Sequence, residues 1–342
     1  MYRFYVTTLD AETSYIVYML RNALTVATAL LCAAPFLAAQ DDVIKVDVDL
    51  VNILASVRNK SGALMGNLNK DDFKIFEDGK EQTIKNFTRE TDLPLPIGLL
   101  VDTSGSQARL IDIERRAADQ FFSKVLRPKD EAFLIQFGTE AELLQDSTNS
   151  PRLLREALGQ LRLSVPVGGL HPGPVPTMQN MAGTVLYDAV YLAANDRLKT
   201  EVGRKAIVVI TDGVDEGSKL SRDKSIEAAQ KADSIIYSIY YVDRAAYGGG
   251  GFGSISFGGG GEGELRRMSS ETGGQVFPVS NRLTLDEIFR EIQEEMRSQY
   301  VITYTPPNPK KDGSYHKIEI RVANKDLKVQ ARKGYYAVEQ EK

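Results

Sequence analysis

The spacing of hydrophobic positions changes twice along the chain, and each change marks a change in predicted structure. Up to residue 90 apolar and polar residues alternate, as in IKVDVDL at 44–50 and FKIFE at 73–77. A period of two is typical of a strand with one buried face. Asp78-Gly79 then predicts a hairpin turn, with a second strand at 82–87. Residues 40–92 are therefore predicted to form a small all-β unit.

Between residues 94 and 298 strands and helices alternate instead. Apolar runs typical of strands covered on both faces lie at 97–101, 132–137, 206–210, 234–241 and 275–279. Helices are predicted at 107–126, 151–162, 184–198, 221–233 and 285–298. This order predicts an α/β domain with a doubly wound, mostly parallel sheet and helices on both faces.

Two of these helices have features that fix their orientation or their start. The helix 107–126 places its apolar residues at helical spacing, namely Leu110, Ile113, Ala117, Phe121 and Val125. The helix 285–298 is preceded by Thr284, and Glu287 stands three positions later, which is the pattern of a capping box.

After residue 299 the period of two returns, so residues 299–342 are predicted to form a second all-β unit. Because both β units flank the α/β domain, we hypothesise that they pack side by side. The glycine-rich stretch 248–263 is predicted to be a flexible surface insertion. It lacks the Gly-Lys-Ser/Thr of a phosphate-binding loop. A long Pro- and Gly-rich loop is predicted at 164–176.

The N-terminal residues resemble an export signal. The apolar run 24–39 is shorter than the about 20 residues of a membrane span, and it ends in small residues before Gln40. This predicts a secretory signal peptide at 1–39, with translation starting at Met19 and cleavage after Ala39. An uncleaved membrane anchor is the alternative. We expect an exported protein, whether periplasmic, cell-surface or extracellular.

Composition excludes several classes of site. The 342 residues are 42% hydrophobic and 26% charged, as in ordinary globular proteins, and the net charge of −4 argues against a nucleic-acid binder. Cys32 is the only cysteine, and His171 and His316 are the only histidines. A Cys/His zinc site, a disulfide framework and a Cys-His nucleophilic pair are therefore excluded.

The candidate chemistry lies where predicted strands end. Strand 97–101 runs into Asp102-Thr103-Ser104-Gly105-Ser106, strand 206–210 runs into Thr211-Asp212-Gly213, and Thr184 precedes a helix. Ligands of open α/β sheets bind outside the carboxyl ends of the strands. Oxygen donors there suit one Mg²⁺ or Mn²⁺ ion, and Gly105 is expected to give the turn its backbone freedom. Alternatively, Asp102 and Ser104 cap the following helix, and Asp212-Gly213 is an ordinary turn.

Asp102-x-Ser104-x-Ser106, with Thr184 and Asp212, resembles the metal-ion-dependent adhesion site (MIDAS) of von Willebrand factor A (VWA) domains. The resemblance covers about 94–298. With DDFKIFEDGKEQTIKNF and KGYYA, the chain also resembles the VWFA-related secreted proteins of acidobacteria. It departs from the common pattern at Ala182, where a second glycine is usual.

The resemblance implies roles for each residue. Ser104 and Ser106 would bind the ion directly, Thr184 directly or through water, and Asp102 and Asp212 through water. One coordination position would stay open for an Asp or Glu carboxylate of a protein partner. The implied function is exported, non-enzymatic adhesion. The alternatives are a structural envelope protein with a vestigial site, and a metal-dependent hydrolase, for which no histidine lies near the motif.

Overall fold

The computed structural model describes residues 50–89, 92–164, 183–243 and 259–338. The predicted leader, most of the predicted strand 44–50 and the loop 165–176 lie outside the described residues. The strands are β1 (Val51–Arg58), β2 (Phe73–Glu77), β3 (Lys80–Gln82), β4 (Ile84–Thr88), β5 (Pro96–Asp102), β6 (Glu131–Phe137), β7 (Ala141–Thr148), β8 (Lys205–Thr211), β9 (Ser234–Tyr240), β10 (Val276–Pro278), β11 (Tyr300–Tyr304), β12 (Tyr315–Val322), β13 (Lys328–Ala331) and β14 (Gly334–Tyr336).

Helices connect the strands of the middle region. The α-helices are α1 (Ile111–Val125), α2 (Pro151–Leu158), α3 (Leu186–Tyr191), α4 (Arg222–Lys231), α5 (Gly259–Thr272) and α6 (Leu285–Ser298). Short 3₁₀ turns occupy Lys70–Asp72 and Gly105–Gln107, and a π-helical stretch, Leu192–Leu198, continues α3. Within the described residues, no helix combines the length and the apolar character that crossing a membrane requires.

The central sheet confirms the predicted fold class. Its strand order is β10-β9-β8-β5-β6-β7. All neighbours in it are parallel except β7, which pairs antiparallel with β6 at the edge. Every residue of β5 is buried, because helices cover both faces of the sheet.

Two apolar clusters lie on opposite sides of this sheet. On one side α1, α2 and α6 pack their apolar residues, including Phe121, Leu154 and Phe289, against the strands. On the other side α3, α4 and α5 do the same, with Leu186 and Leu265 among the contacts. The α/β domain is therefore a sheet between two helical layers.

Strands from the two ends of the chain form shared sheets, which we call the β body (β1–β4 and β11–β14). One sheet has the order β13-β1-β11-β4 and the other β14-β12-β2-β3. The hairpin turn at Asp78-Gly79 is present, with β3 paired to β2. The strand predicted at 82–87 is divided, because β3 ends at Gln82 and β4 joins the other sheet.

A buried network joins α6 to both the β body and the central sheet. The Glu295 side chain is fully buried and accepts hydrogen bonds from Arg58 Nη2 (2.6 Å), the Tyr237 hydroxyl (3.1 Å), Gln275 Nε2 (3.1 Å) and Gln330 Nε2 (2.9 Å). One carboxylate of α6 thus holds β1, β9, β13 and the residue that precedes β10. The capping box predicted for α6 is also present, since Thr284 and Glu287 bond each other's backbone N–H.

Two sequence predictions for helices need correction. Ile113, predicted on the apolar face of the first helix, is 40% exposed, whereas Glu114 is fully buried. Helix α5 begins at Gly259, so the last residues of the predicted 248–263 insertion are helical; 248–258 lie outside the described residues. One glycine of this helical turn, Gly261, packs closely on the backbone of Asp212.

Candidate metal site

The sheet register brings the two predicted turns together. In the pairing of β5 with β8, Val101 lies opposite Ile210, so Asp102 and Thr211 end adjacent parallel strands side by side. The Thr211 hydroxyl donates to Asp102 Oδ2 at 2.5 Å. Asp212 follows directly. The parallel order of the strands therefore places both aspartates at the carboxyl edge of the sheet.

A chain of hydrogen bonds joins four of the five residues that the sequence singles out. The backbone N–H of Ser104 donates to Asp102 Oδ1 at 2.9 Å. The hydroxyl oxygens of Ser104 and Ser106 lie 3.0 Å apart, and Ser106 Oγ donates to Asp212 Oδ2 at 2.6 Å. Oxygen atoms from both strand ends thus converge within hydrogen-bonding distance of one another.

Thr184 is placed by its backbone. Its carbonyl accepts from the N–H of Glu216, and the N–H of Val185 donates to the carbonyl of Gly138 after β6. The residue is 7% exposed. These bonds hold the Thr184 segment between the loops that follow β6 and β8, which is the same edge of the sheet. The hydrogen bonds of the cluster that involve side chains, given for Asp102, Ser104, Ser106 and Asp212, join the other four residues.

The helix-capping alternative does not describe Ser104. Ser104 precedes the 3₁₀ turn Gly105–Gln107, but its side chain makes no capping hydrogen bond there, and α1 begins only at Ile111. The hydroxyl lies beside Ser106 instead. The expected role of Gly105 is wrong, since its φ is not positive and an added Cβ would meet nothing within 4 Å.

Glycine is required instead at the second turn. Gly213 has φ +80°, and a Cβ there would lie 2.4 Å from the carbonyl oxygen of Gly261 in α5. Conversely, a Cβ on Gly261 would lie 2.1 Å from the carbonyl oxygen of Asp212. Real Cβ atoms do not approach backbone this closely, so only glycine allows the first turn of α5 to pack on Asp212-Gly213.

Carboxylates make the site strongly acidic in its interior. Asp102 is fully buried and Asp212 is 3% exposed. Burial, and then the charge of Asp212, raise the pKa of Asp102 to about 7. Burial raises the pKa because the ionised carboxylate loses its hydration, which costs free energy. A bound cation would remove this penalty.

Glu114 is a third carboxylate that the sequence analysis missed. It is fully buried on α1, and neither of its carboxyl oxygens has a hydrogen-bond partner among the described residues. Burial raises its pKa well above the ordinary value, and Asp102 and Asp212 raise it further. Its position was available as a signal, since Glu114 stands four residues after Leu110 and four before Ala118, on the inner face.

These observations fit a divalent cation. The donors are carboxylate and hydroxyl oxygens, which hard ions such as Mg²⁺ prefer. Three buried carboxyl groups lie within mutual electrostatic range, and one has both oxygens unpartnered among the described residues, so a cation would favour their ionised forms. The residues that would hold it are Asp102, Ser104, Ser106, Thr184 and Asp212.

Comparison with known proteins gives likeness of fold only. No protein-family model and no curated protein matches the chain. Among solved structures it is similar to proximal thread matrix protein 1 from the mussel byssus, at 13% identity and a TM-score of 0.43, covering 65% of this chain and 51% of that one. Another structure of the mussel protein has a zinc-occupied MIDAS motif.

Two further structures show similar partial likeness. The PilB minor pilin from Streptococcus sanguinis has 16% identity and a TM-score of 0.40, with 60% and 62% of the two chains covered. The SpRpn10 VWA domain has 14% identity and a TM-score of 0.38, with 58% and 95% covered. The chain thus spans about half of the mussel protein and under two thirds of the pilin. The fold class follows from the strand order described above.

Proposed function

We propose that this chain is an exported, non-enzymatic binding protein that holds a protein partner through a divalent cation. The observation that carries the proposal is the hydrogen-bonded set of Asp102, Ser104, Ser106 and Asp212 at the edge of the sheet. Mg²⁺ or Mn²⁺ bound there would supply a positive charge that attracts an Asp or Glu carboxylate of the partner.

The role proposed for each residue of the site depends on how deeply it is buried. Asp102 accepts bonds from Ser104 N–H and the Thr211 hydroxyl, so it fixes the turn that carries the serines. The Ser106 hydroxyl is half-buried and bonds Asp212 across the two strands. Neutral hydroxyls nearest the ion, with carboxylates behind them, leave the cation able to attract a further anion.

Two alternatives are distinguished by chemistry. A hydrolase using the same ion needs a general base that contacts substrate. Glu114, the carboxylate that the structure adds to the cluster, is fully buried and out of a substrate's reach. A structural envelope protein with a vestigial site would keep the fold but bind no cation. Export is proposed from the apolar run 24–39 alone.

Calorimetric titration of the full chain with Mg²⁺ and Mn²⁺, after treatment with a chelator, tests the proposal. Saturable binding is expected, lost in Asp102→Ala and weakened about 10–100-fold in Ser106→Ala. Ser106→Ala keeps every buried carboxylate, so it is expected to fold and to test the site even if Asp102→Ala unfolds. Asp112→Ala, an exposed aspartate on α1, is the matched control.

The contrary outcomes separate the alternatives. Equal affinity in Ser106→Ala and wild type would refute the assignment of the site. Absence of any Mg²⁺ or Mn²⁺ binding would favour the vestigial envelope protein. Mg²⁺-dependent hydrolysis of p-nitrophenyl acetate or p-nitrophenyl phosphate, abolished by Ser106→Ala, would favour the hydrolase over the binding protein.

A further inference from the structure

A second group of potential metal ligands lies in the β body, away from the DxSxS turn in the sequence and in another sheet. Glu77 ends β2, Asp78 begins the β2–β3 turn, and His316 is on β12. One ligand atom from each of the three lies within 4.8 Å of the others. His316 Nδ1 is 2.9 Å from Asp78 Oδ2 and 3.7 Å from Glu77 Oε1. Donor atoms of three side chains therefore lie close together.

These separations match the demands of a small transition-metal ion. Ligand atoms about 2.0–2.1 Å from a tetrahedral Zn²⁺ stand about 3.3 Å from each other. The two separations from His316 Nδ1, 2.9 and 3.7 Å, lie on either side of that value. An imidazole nitrogen with two carboxylates favours Zn²⁺ over Mg²⁺, which prefers oxygen ligands throughout.

Each of the three side chains is also held from behind, as ligands in metal sites usually are. The Ser314 hydroxyl lies 3.0 Å from His316 Nε2, so it can accept the Nε2 proton in the tautomer that a metal would select, the one whose Nδ1 lone pair faces the carboxylates. Glu77 Oε2 accepts the hydroxyl of Tyr304 at 2.5 Å, so Oε1 is turned towards His316. Asp78 Oδ1 accepts the N–H of Lys317 at 2.9 Å.

The three side chains differ in burial, so a site formed by them is enclosed on one side and open to solvent on the other. Glu77 is 2% exposed, and its unshared oxygen points to the cluster from the interior of the β body. The side chain of His316 is 13% exposed and that of Asp78 is 51% exposed. A cation can therefore enter from solvent, and water or an external group can complete its coordination.

We propose that Glu77, Asp78 and His316 form a site for a borderline divalent transition-metal ion of the Zn²⁺ type. Such an ion would join the β2–β3 turn to β12. The proposal is independent of the function proposed for the DxSxS site, because it uses another donor set and another metal preference. The competing description is a histidine–carboxylate ion pair that binds no metal.

The test is calorimetric titration of the metal-free full chain with Zn²⁺, backed by thermal melting. Wild type is expected to bind one Zn²⁺ at this site and to melt at a higher temperature when zinc is added. Asp78→Asn is expected to weaken that binding at least about tenfold. Asparagine accepts the Lys317 N–H and tolerates the φ of +48° at residue 78, so the fold is kept.

Two further variants keep the outcomes distinct. His316→Ala is expected to lose the zinc site and the melting shift, whereas His171→Ala, which changes the other histidine of the chain, is expected to keep both. Ser106→Ala is expected to weaken Mg²⁺ binding and to keep this zinc site. The proposal is overturned if wild type binds no zinc, or if Asp78→Asn and His316→Ala both bind zinc as wild type does, which would indicate adventitious ion binding only.

Discussion

Alanine at two nearby glycines of helix α5 is expected to have opposite effects, because only one of them touches the candidate site. A Cβ at Gly261 would lie 2.1 Å from the Asp212 carbonyl oxygen, whereas a Cβ at Gly263 would meet nothing within 4 Å. The contact at Gly261 is with backbone, which has no rotamer to give way. Helix α5 or Asp212 must therefore move when Gly261 becomes alanine.

The magnitude follows from the two terms that the substitution changes. Replacing glycine by alanine inside a helix gains about 0.5–1 kcal/mol, and both variants receive a gain of this kind. Gly261→Ala in addition forces an overpacked contact, which costs about 1–3 kcal/mol. The free energy of unfolding is therefore expected to differ between the two variants by about 1–3 kcal/mol, with Gly263→Ala the more stable.

Urea denaturation of both variants measures this difference, and Mg²⁺ titration measures its effect on the site. At about 2–4 °C per kcal/mol, the melting temperatures are expected to differ by about 2–12 °C. Mg²⁺ affinity is expected to fall in Gly261→Ala, because Asp212 shifts, and to stay unchanged in Gly263→Ala. Equal stabilities, or a Gly261→Ala variant more stable than wild type, would refute the reasoning about this contact.

Two other predictions concern buried carboxyl groups. Glu295→Gln is expected to lower the free energy of unfolding by about 2–4 kcal/mol in urea denaturation, because it leaves the charge of Arg58 without its buried partner. The control, Glu294→Gln, changes an exposed neighbour and is expected to stay within about 0.5 kcal/mol of wild type. Equal effects of the two substitutions would contradict the prediction. With a chelator present, the free energy of unfolding is expected to fall as the pH rises from 4 to 7. The pKa of Asp102 is raised to about 7 and that of Glu114 is also raised, so over this range the folded protein holds protons that the unfolded chain releases. Each group contributes up to about 1.4 kcal/mol per pH unit, so Glu114→Gln is expected to show a shallower pH slope, and an unchanged slope would contradict this.

The sequence predicted the parts of the fold that depend on local pattern. Strand β5 and its DxSxS turn are contiguous, and the parallel order of β5 and β8 is implied by the helices between them. Their strand ends could therefore be expected to meet. The buried Glu114 was missed because a charged residue does not mark an apolar face, although its spacing from Leu110 agrees with one.

Other features depend on contacts between distant segments and were not predictable from local pattern. Strand β1 was not predicted. It begins directly after residues 44–50, where the alternating pattern had already been assigned to another strand. The glycines at the start of α5 suggested a flexible insertion, since nothing in the sequence shows that Gly261 packs on Gly213. Composition indicates flexibility only when no close backbone contact requires the same residues.

The second cation site shows why register carries function that motifs do not. His316 meets Asp78 across 238 residues of chain only because β2 and β12 pair antiparallel with Ile318 opposite Glu77. In a strand, a shift of one residue turns every side chain to the opposite face. Such a shift would move His316 away from both carboxylates. An ion bound by all three would therefore stabilise this one register over its neighbours, and its contribution to stability would be lost together with the pairing of the two ends of the chain.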